Sequence, residues 1–178
     1  MMNKVIFMTA ALSGLVSMSS NAFELTSQDI QEGKKIPQVF EFDGFGCSGE
    51  NKSPQLQWID APKGTKSFAL TAYDPDAPSG SGWWHWSAFN IPASVSSLAQ
   101  GADLTKLGAT ELKSDYGSVG FGGVCPPKGD NMHRYQFTVW ALPVEKLDLN
   151  ADVSSALAGF TVRSMAIGKA VLVAPYHR

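Results

Sequence analysis

The sequence predicts a mostly β domain, an antiparallel β-sandwich with one or two short α-helices near its C-terminus. Turn formers are spread along the chain, 17 Gly and 10 Pro, as many short strands joined by loops require. Several short runs alternate apolar and polar residues or are apolar throughout, and helical periodicity stays weak until late in the sequence.

The first 22 residues are set apart from this pattern. Lys4 precedes an apolar or small run from Val5 to Val16, and Ser20-Asn21-Ala22 supplies small residues at the last and third-last positions. That is the layout of a secretory signal peptide with cleavage after Ala22, leaving one domain over residues 23–178. An apolar run of about 12 residues is too short to cross a bilayer as a helix. The expected destination is periplasmic or secreted, with no membrane-spanning segment after cleavage.

Residues 67–73 read as a strand with Phe68, Leu70 and Ala72 on one face. Residues 86–91 and 135–142 read as two more, and residues 170–174 as a final buried strand. Asp152 is the expected N-cap of a late helix carrying Val153, Leu157 and Phe160 at near-helical spacing, with Gly159 weakening it. Two long loops, residues 43–54 and 114–131, each hold one cysteine, and loops of that length in a compact domain usually carry function.

With 44% hydrophobic and 17% charged residues the chain can bury a core. A formal net charge of −2 without runs of one sign argues against nucleic acid and against a polybasic membrane anchor. The two cysteines, Cys47 and Cys125, allow one intramolecular disulfide in an oxidising compartment; unrelated thiols or bonds between chains are the alternatives.

Three segments carry polar groups beside Pro, Gly or aromatic residues. In Asp74-Pro75-Asp76-Ala77-Pro78 the prolines stiffen the backbone, an extended course would face Asp74 and Asp76 the same way, and Ala77-Pro78 is a candidate cis bond. In Gly82-Trp83-Trp84-His85-Trp86 three indoles are expected to collar the imidazole and favour its neutral form by desolvation, unless an aspartate nearby favours the cation. In the third segment, residues 125–135, strand alternation puts His133 and Tyr135 on one face, able to converge on an oxyanion, and Arg134 on the other, pairing with an acid.

This ordered set, Asp74-Pro75-Asp76-Ala77-Pro78, then His85, then Pro126-Pro127-Lys128-Gly129 with His133-Arg134-Tyr135, resembles the hallmarks of the phosphatidylethanolamine-binding protein family. The stretch from Gly120-Phe121-Gly122-Gly123 to Asp130 looks like its bacterial, Raf-kinase-inhibitor-like branch. The resemblance implies a β-sandwich with an anion pocket at one end, lined by Asp74, His85, His133 and Tyr135. Pro127 and the backbone near Cys125 would form a wall, with Asp76 and Trp84 behind. The guest would be a phosphate-type phospholipid head group or a small carboxylate or sulfate. Anion affinity is expected to rise as the histidines protonate between about pH 7.5 and 5.5. Cys125 where animal members have Gly, a short Gly-rich loop before Trp83 and a brief C-terminal tail depart from the animal pattern. They leave lipid selectivity and kinase regulation outside the expectation.

The expected role is binding by a monomer or homodimer, without catalysis, cofactor or metal. One alternative is an interaction or inhibitor module for a protease or host factor, with a vestigial pocket. A second is a metal enzyme using Asp74, His85 and His133. A third, a hydrolase, would need a nucleophile, and Gly120-Phe121-Gly122 lacks the Ser of a nucleophile elbow.

Overall fold

The computed structural model describes residues 22–178, so the expected signal peptide, apart from Ala22, lies outside the described residues. The strands, in chain order, are β1 Glu24–Thr26, β2 Asp43–Gly44, β3 Cys47–Ser48, β4 Leu56–Ile59, β5 Ser67–Asp74, β6 Trp83–Pro92, β7 Ser97–Leu98, β8 Thr110–Glu111, β9 His133–Leu142 and β10 Gly168–Tyr176. A five-stranded sheet runs β10-β9-β5-β6-β8, a three-stranded sheet runs β1-β4-β7, and β2-β3 form a separate hairpin. All of these pairings are antiparallel.

Alternation explains the central sheet. Phe68, Leu70 and Ala72 of β5 share a buried cluster with Trp86, Phe137 and Val139 of the same sheet and with Leu56 and Trp58 of the small sheet. The reverse face of β5 is buried too, because a helix covers it. Ala69 packs there with Phe89, Trp140, Ala158 and Val162. A strand closed on both sides loses the polar-out signature of a half-exposed one.

That helix, α1, spans Ser155–Met165, and its N-cap is Ser154 rather than Asp152. Ser154 is extended (φ −67°, ψ 149°) and its hydroxyl accepts the Leu157 N–H, so it ends the coil with a partnered cap. Ala158 and Val162, four apart, are buried, whereas Leu157 and Phe160, which carry the near-helical apolar spacing, are 49% and 72% exposed.

Gly159 is there for close approach. A Cβ at that position would lie 2.6 Å from Cη2 of the Trp84 indole. Gly159→Ala should gain about 1 kcal/mol in helix propensity and lose about 1–3 kcal/mol to overpacking against a rigid ring. We expect net destabilisation, read as a lower urea midpoint at unchanged slope.

The strands also begin earlier than the alternation suggests. β6 starts at Trp83, paired with Asp74, and β9 starts at His133, paired with Tyr176. Both histidines therefore sit inside regular sheet. Ala77-Pro78, the cis candidate, is trans, as is every peptide bond among the described residues. The Asp76 N–H donates to Asp74 Oδ1 at 2.9 Å and closes the turn without a cis bond.

Candidate functional site

At the end of the central sheet where β5 finishes and β9 begins lies a mostly apolar cavity of about 290 Å³. Asp74, His85, His133, Tyr135 and Pro127, the five residues expected to contact a ligand, all line it, and so does Cys125. The Cys47–Cys125 disulfide ties the wall loop to the β2-β3 hairpin. Arg178 adds a second tie: its Nε donates to the Pro126 carbonyl at 2.6 Å and its guanidinium to the carbonyls of Gly46 and Phe45.

His85 reaches the cavity through an irregularity in β6. Trp86 pairs with Ala72 and Trp84 with Tyr73, so His85 is an extra residue without a partner on β5. Such a bulge re-aims the side chain it carries. The His85 Nδ1–H donates to the carbonyls of Gly122 (2.8 Å) and Gly123 (3.1 Å), which leaves Nε2 as the unoccupied ring nitrogen. Burial lowers the His85 pKa, outweighing the carbonyls and the attraction of Asp74. The two glycines permit this approach. A Cβ on Gly122 would lie 2.3 Å from the Tyr116 ring, and one on Gly123 2.4 Å from the Glu41 backbone.

His133 has the opposite character. Its Nδ1 and Nε2 donate to Asp74 Oδ2 at 2.7 Å and to Asp130 Oδ2 at 3.3 Å. Burial opposes the charge, but hydrogen bonding and attraction to Asp74, then to Asp130, prevail and raise the pKa. Asp74 and His133 thus form a buried ion pair. The two histidines do not titrate together.

Two further donors make no well-formed hydrogen bond, although Asp74 and the Cys125 backbone lie near the Tyr135 hydroxyl. The Tyr135 hydroxyl and the Trp83 indole N–H are buried without a hydrogen-bond partner among the described residues, and both side chains line the cavity. Burial keeps the Tyr135 phenol protonated, well above the usual range. Two orphaned donors beside one small void can bind oxygen atoms, and His85 adds a third donor there only when its Nε2 is protonated.

The sequence profile described as phosphatidylethanolamine-binding protein matches residues 26–177. The chain belongs to the phosphatidylethanolamine-binding protein family. The Escherichia coli protein YbcL is 49% identical over 166 residues, covering 90% of this chain and 91% of its own. The crystal structure of that protein, described as a new member of the mammalian family, superposes with a TM-score of 0.85 at 46% identity, covering 89% of this chain and 99% of that one. A solved Chlamydia trachomatis homologue gives a TM-score of 0.76 at 33% identity, with the same coverages, 89% and 99%.

Within this family member, several expectations need correction. Trp84 lies away from the cavity, tilted on Tyr73 (4.6 Å) and beneath α1. Asp76 does not turn inward with Asp74, because the turn between them sends its carboxylate out to a two-point bond with Arg134 at 2.8 and 2.7 Å. The ring neighbours of His85 are Tyr116 and Tyr135, edge-on at 5.6 and 5.0 Å, not a collar of tryptophans. The Asp-His-His metal set is not assembled: Asp74 and His133 are engaged with each other, and among the described residues no three His, Cys, Asp or Glu groups are placed to hold an ion.

Tyr116, Asp130 and Phe45 escaped the sequence reading as site residues. Tyr116 stacks flat on Phe42 (3.8 Å, 6°) and donates to the Gly123 carbonyl, bracing the backbone that His85 also holds. Its one sequence signal was its place in the long loop of residues 114–131.

Proposed function

We propose that the chain is an exported binding protein of this family, without a catalytic step, whose cavity receives an anionic group: a phosphate-type head group or a small carboxylate or sulfate. The observation that carries the reading is the pair of buried, unpartnered donors, Tyr135 and Trp83, lining one cavity with the free nitrogen of His85. The leader layout and the Cys47–Cys125 bridge support export. Because the Asp74–His133 pair is internally neutralised, the charge that answers the guest is a proton taken up by His85.

The expected pH dependence therefore differs from simple charging of both rings. With the His85 pKa lowered and the His133 pKa raised, only His85 gains its proton on the acid side of neutrality. Sulfate, whose charge is constant over this range, is the suitable probe. Its affinity should rise as pH falls below about 6.5, with buffer-dependent enthalpies reporting proton uptake. In His85→Ala it should be weaker by about tenfold or more and insensitive to pH, as loss of one charge-assisted hydrogen bond implies. Calorimetry showing equal, pH-independent sulfate binding in parent and variant would refute the site.

A further inference from the structure

The β2-β3 hairpin at the cavity mouth has an unusual tip. Gly44 pairs with Cys47, so Phe45 and Gly46 are the two loop residues, with φ of 54° and 78°. Two-residue hairpin turns with positive φ at both centres favour Asn, Asp or Gly at the first. A phenylalanine there is out of place, since left-handed backbone is disfavoured for a bulky side chain. The ring gains little burial in return: Phe45 is 70% exposed and touches Phe42 and Tyr116 only edge-on, at 5.8 and 5.4 Å. Yet the tip is held hard. The neighbouring Cys47 is bridged to the cavity wall, and Arg178 donates to the carbonyls of both loop residues.

A strained, exposed aromatic ring that is clamped in place and lines a ligand-sized cavity is better explained by a guest than by the fold. Pro78, Pro126 and Pro127 add apolar lining to the same cavity, beside Ser79, whereas the unpartnered donors belong to Trp83 and Tyr135. Resting on the anion reading above, we infer that Phe45 is the specificity-determining residue of this site, and that it selects a small organic anion carrying an aryl or short alkyl group next to its charge, such as a phosphate monoester. The oxygens meet the donors and the apolar substituent lies against Phe45. The volume of about 290 Å³ has room for one ring or a few carbons beside a phosphate.

The test compares phenyl phosphate with inorganic phosphate, in parent and in Phe45→Asn, by calorimetry at one pH. Asn-Gly is the most favourable pair for this turn, so the variant should melt no lower than the parent. The parent is expected to prefer phenyl phosphate by about tenfold, the scale of one aromatic contact with its covered area. In Phe45→Asn that preference, read as the ratio of the two affinities, should fall to about twofold. A preference that survives the substitution overturns the inference and leaves the anion reading intact. Equal loss of both ligands also overturns it, reducing Phe45 to a loop-shaping role. If the parent binds neither probe, both readings fall. Parent that sediments with phosphatidylglycerol vesicles but ignores phenyl phosphate would overturn the small-ester assignment.

Discussion

Cys47→Ser with Cys125→Ser, or reduction of the parent, is expected to destabilise the domain by about 4.5 kcal/mol, the chain-entropy value for a loop of this size. The bridge spans 78 residues, so its loss frees a large part of the unfolded chain. For a domain of this length that corresponds to a fall in Tm of about 10 °C or more. Thermal melts with and without a phosphine reductant supply the measurement, and a shift under about 2 °C would contradict it. The effect should extend to the site, since the bridge joins the Phe45 hairpin to the Pro126-Pro127 wall. Arg178 keeps a partial hold, through its bonds to Phe45, Gly46 and Pro126. Arg178→Ala combined with loss of the bridge should therefore cost more than the separate effects summed.

Asp74→Asn is expected to destabilise by about 3 kcal/mol near pH 6, as breaking a buried ion pair does. The pH profile separates this cause from mere loss of shape. The folded pKa of His133 is raised above its ordinary value of about 6.5, so its contribution is complete below that pH and lost as pH rises through the raised value. The deficit of Asp74→Asn should accordingly be largest near pH 6 and shrink in alkali, where His133 is neutral in both proteins. Urea titrations from pH 6 to about 10 test this, and a constant deficit would disprove the ion-pair account. His85 works the other way. Its folded pKa is lowered, so its contribution is present above about 6.5 and is lost as pH falls toward the lowered value. The opposing slopes make parent stability greatest close to the ordinary histidine pKa.

Local pattern made much of the fold legible. Residues 67–73, 135–142 and 170–174 correspond to β5, β9 and β10, but β5 is buried on both faces, and β10, expected to be a buried strand, is an edge strand that alternates, with Val171 39% exposed. The ligand-lining set was legible for a different reason. Asp74, Pro127, His133 and Tyr135 stand in short motifs rigid with Pro and Gly, and the motif order matches the family. Alternation also separates His133 and Tyr135, both buried, from exposed Arg134.

Other features had no local signal. Strict alternation through Trp86 would have turned His85 to the other side of the sheet; the unpaired residue in β6 brings it round, and bulges have no reliable sequence mark. Trp83 and Trp84 are chemically alike, yet one lines the cavity and the other packs under Gly159. The helix was placed correctly along the chain, but the residues it buries, Ser155, Ala158 and Val162, are not the large apolar ones that signalled it.

By itself, then, the sequence determined the four long strands β5, β6, β9 and β10 but not the six short ones, that two cysteines could bridge two loop segments, and which polar side chains were candidates for one pocket. Only the tertiary structure decided that Asp74 neutralises His133 rather than a guest, that Asp76 turns outward, and that Tyr135 and Trp83 are left with unmet donors beside Phe45. The physical reason is that propensity and periodicity act between near neighbours. Many of the hydrogen bonds, and the burial of the site, join groups far apart in the chain that meet only when the sheets close, as Trp84 with Asp115 and Tyr176 with Glu41 do, 31 and 135 residues apart.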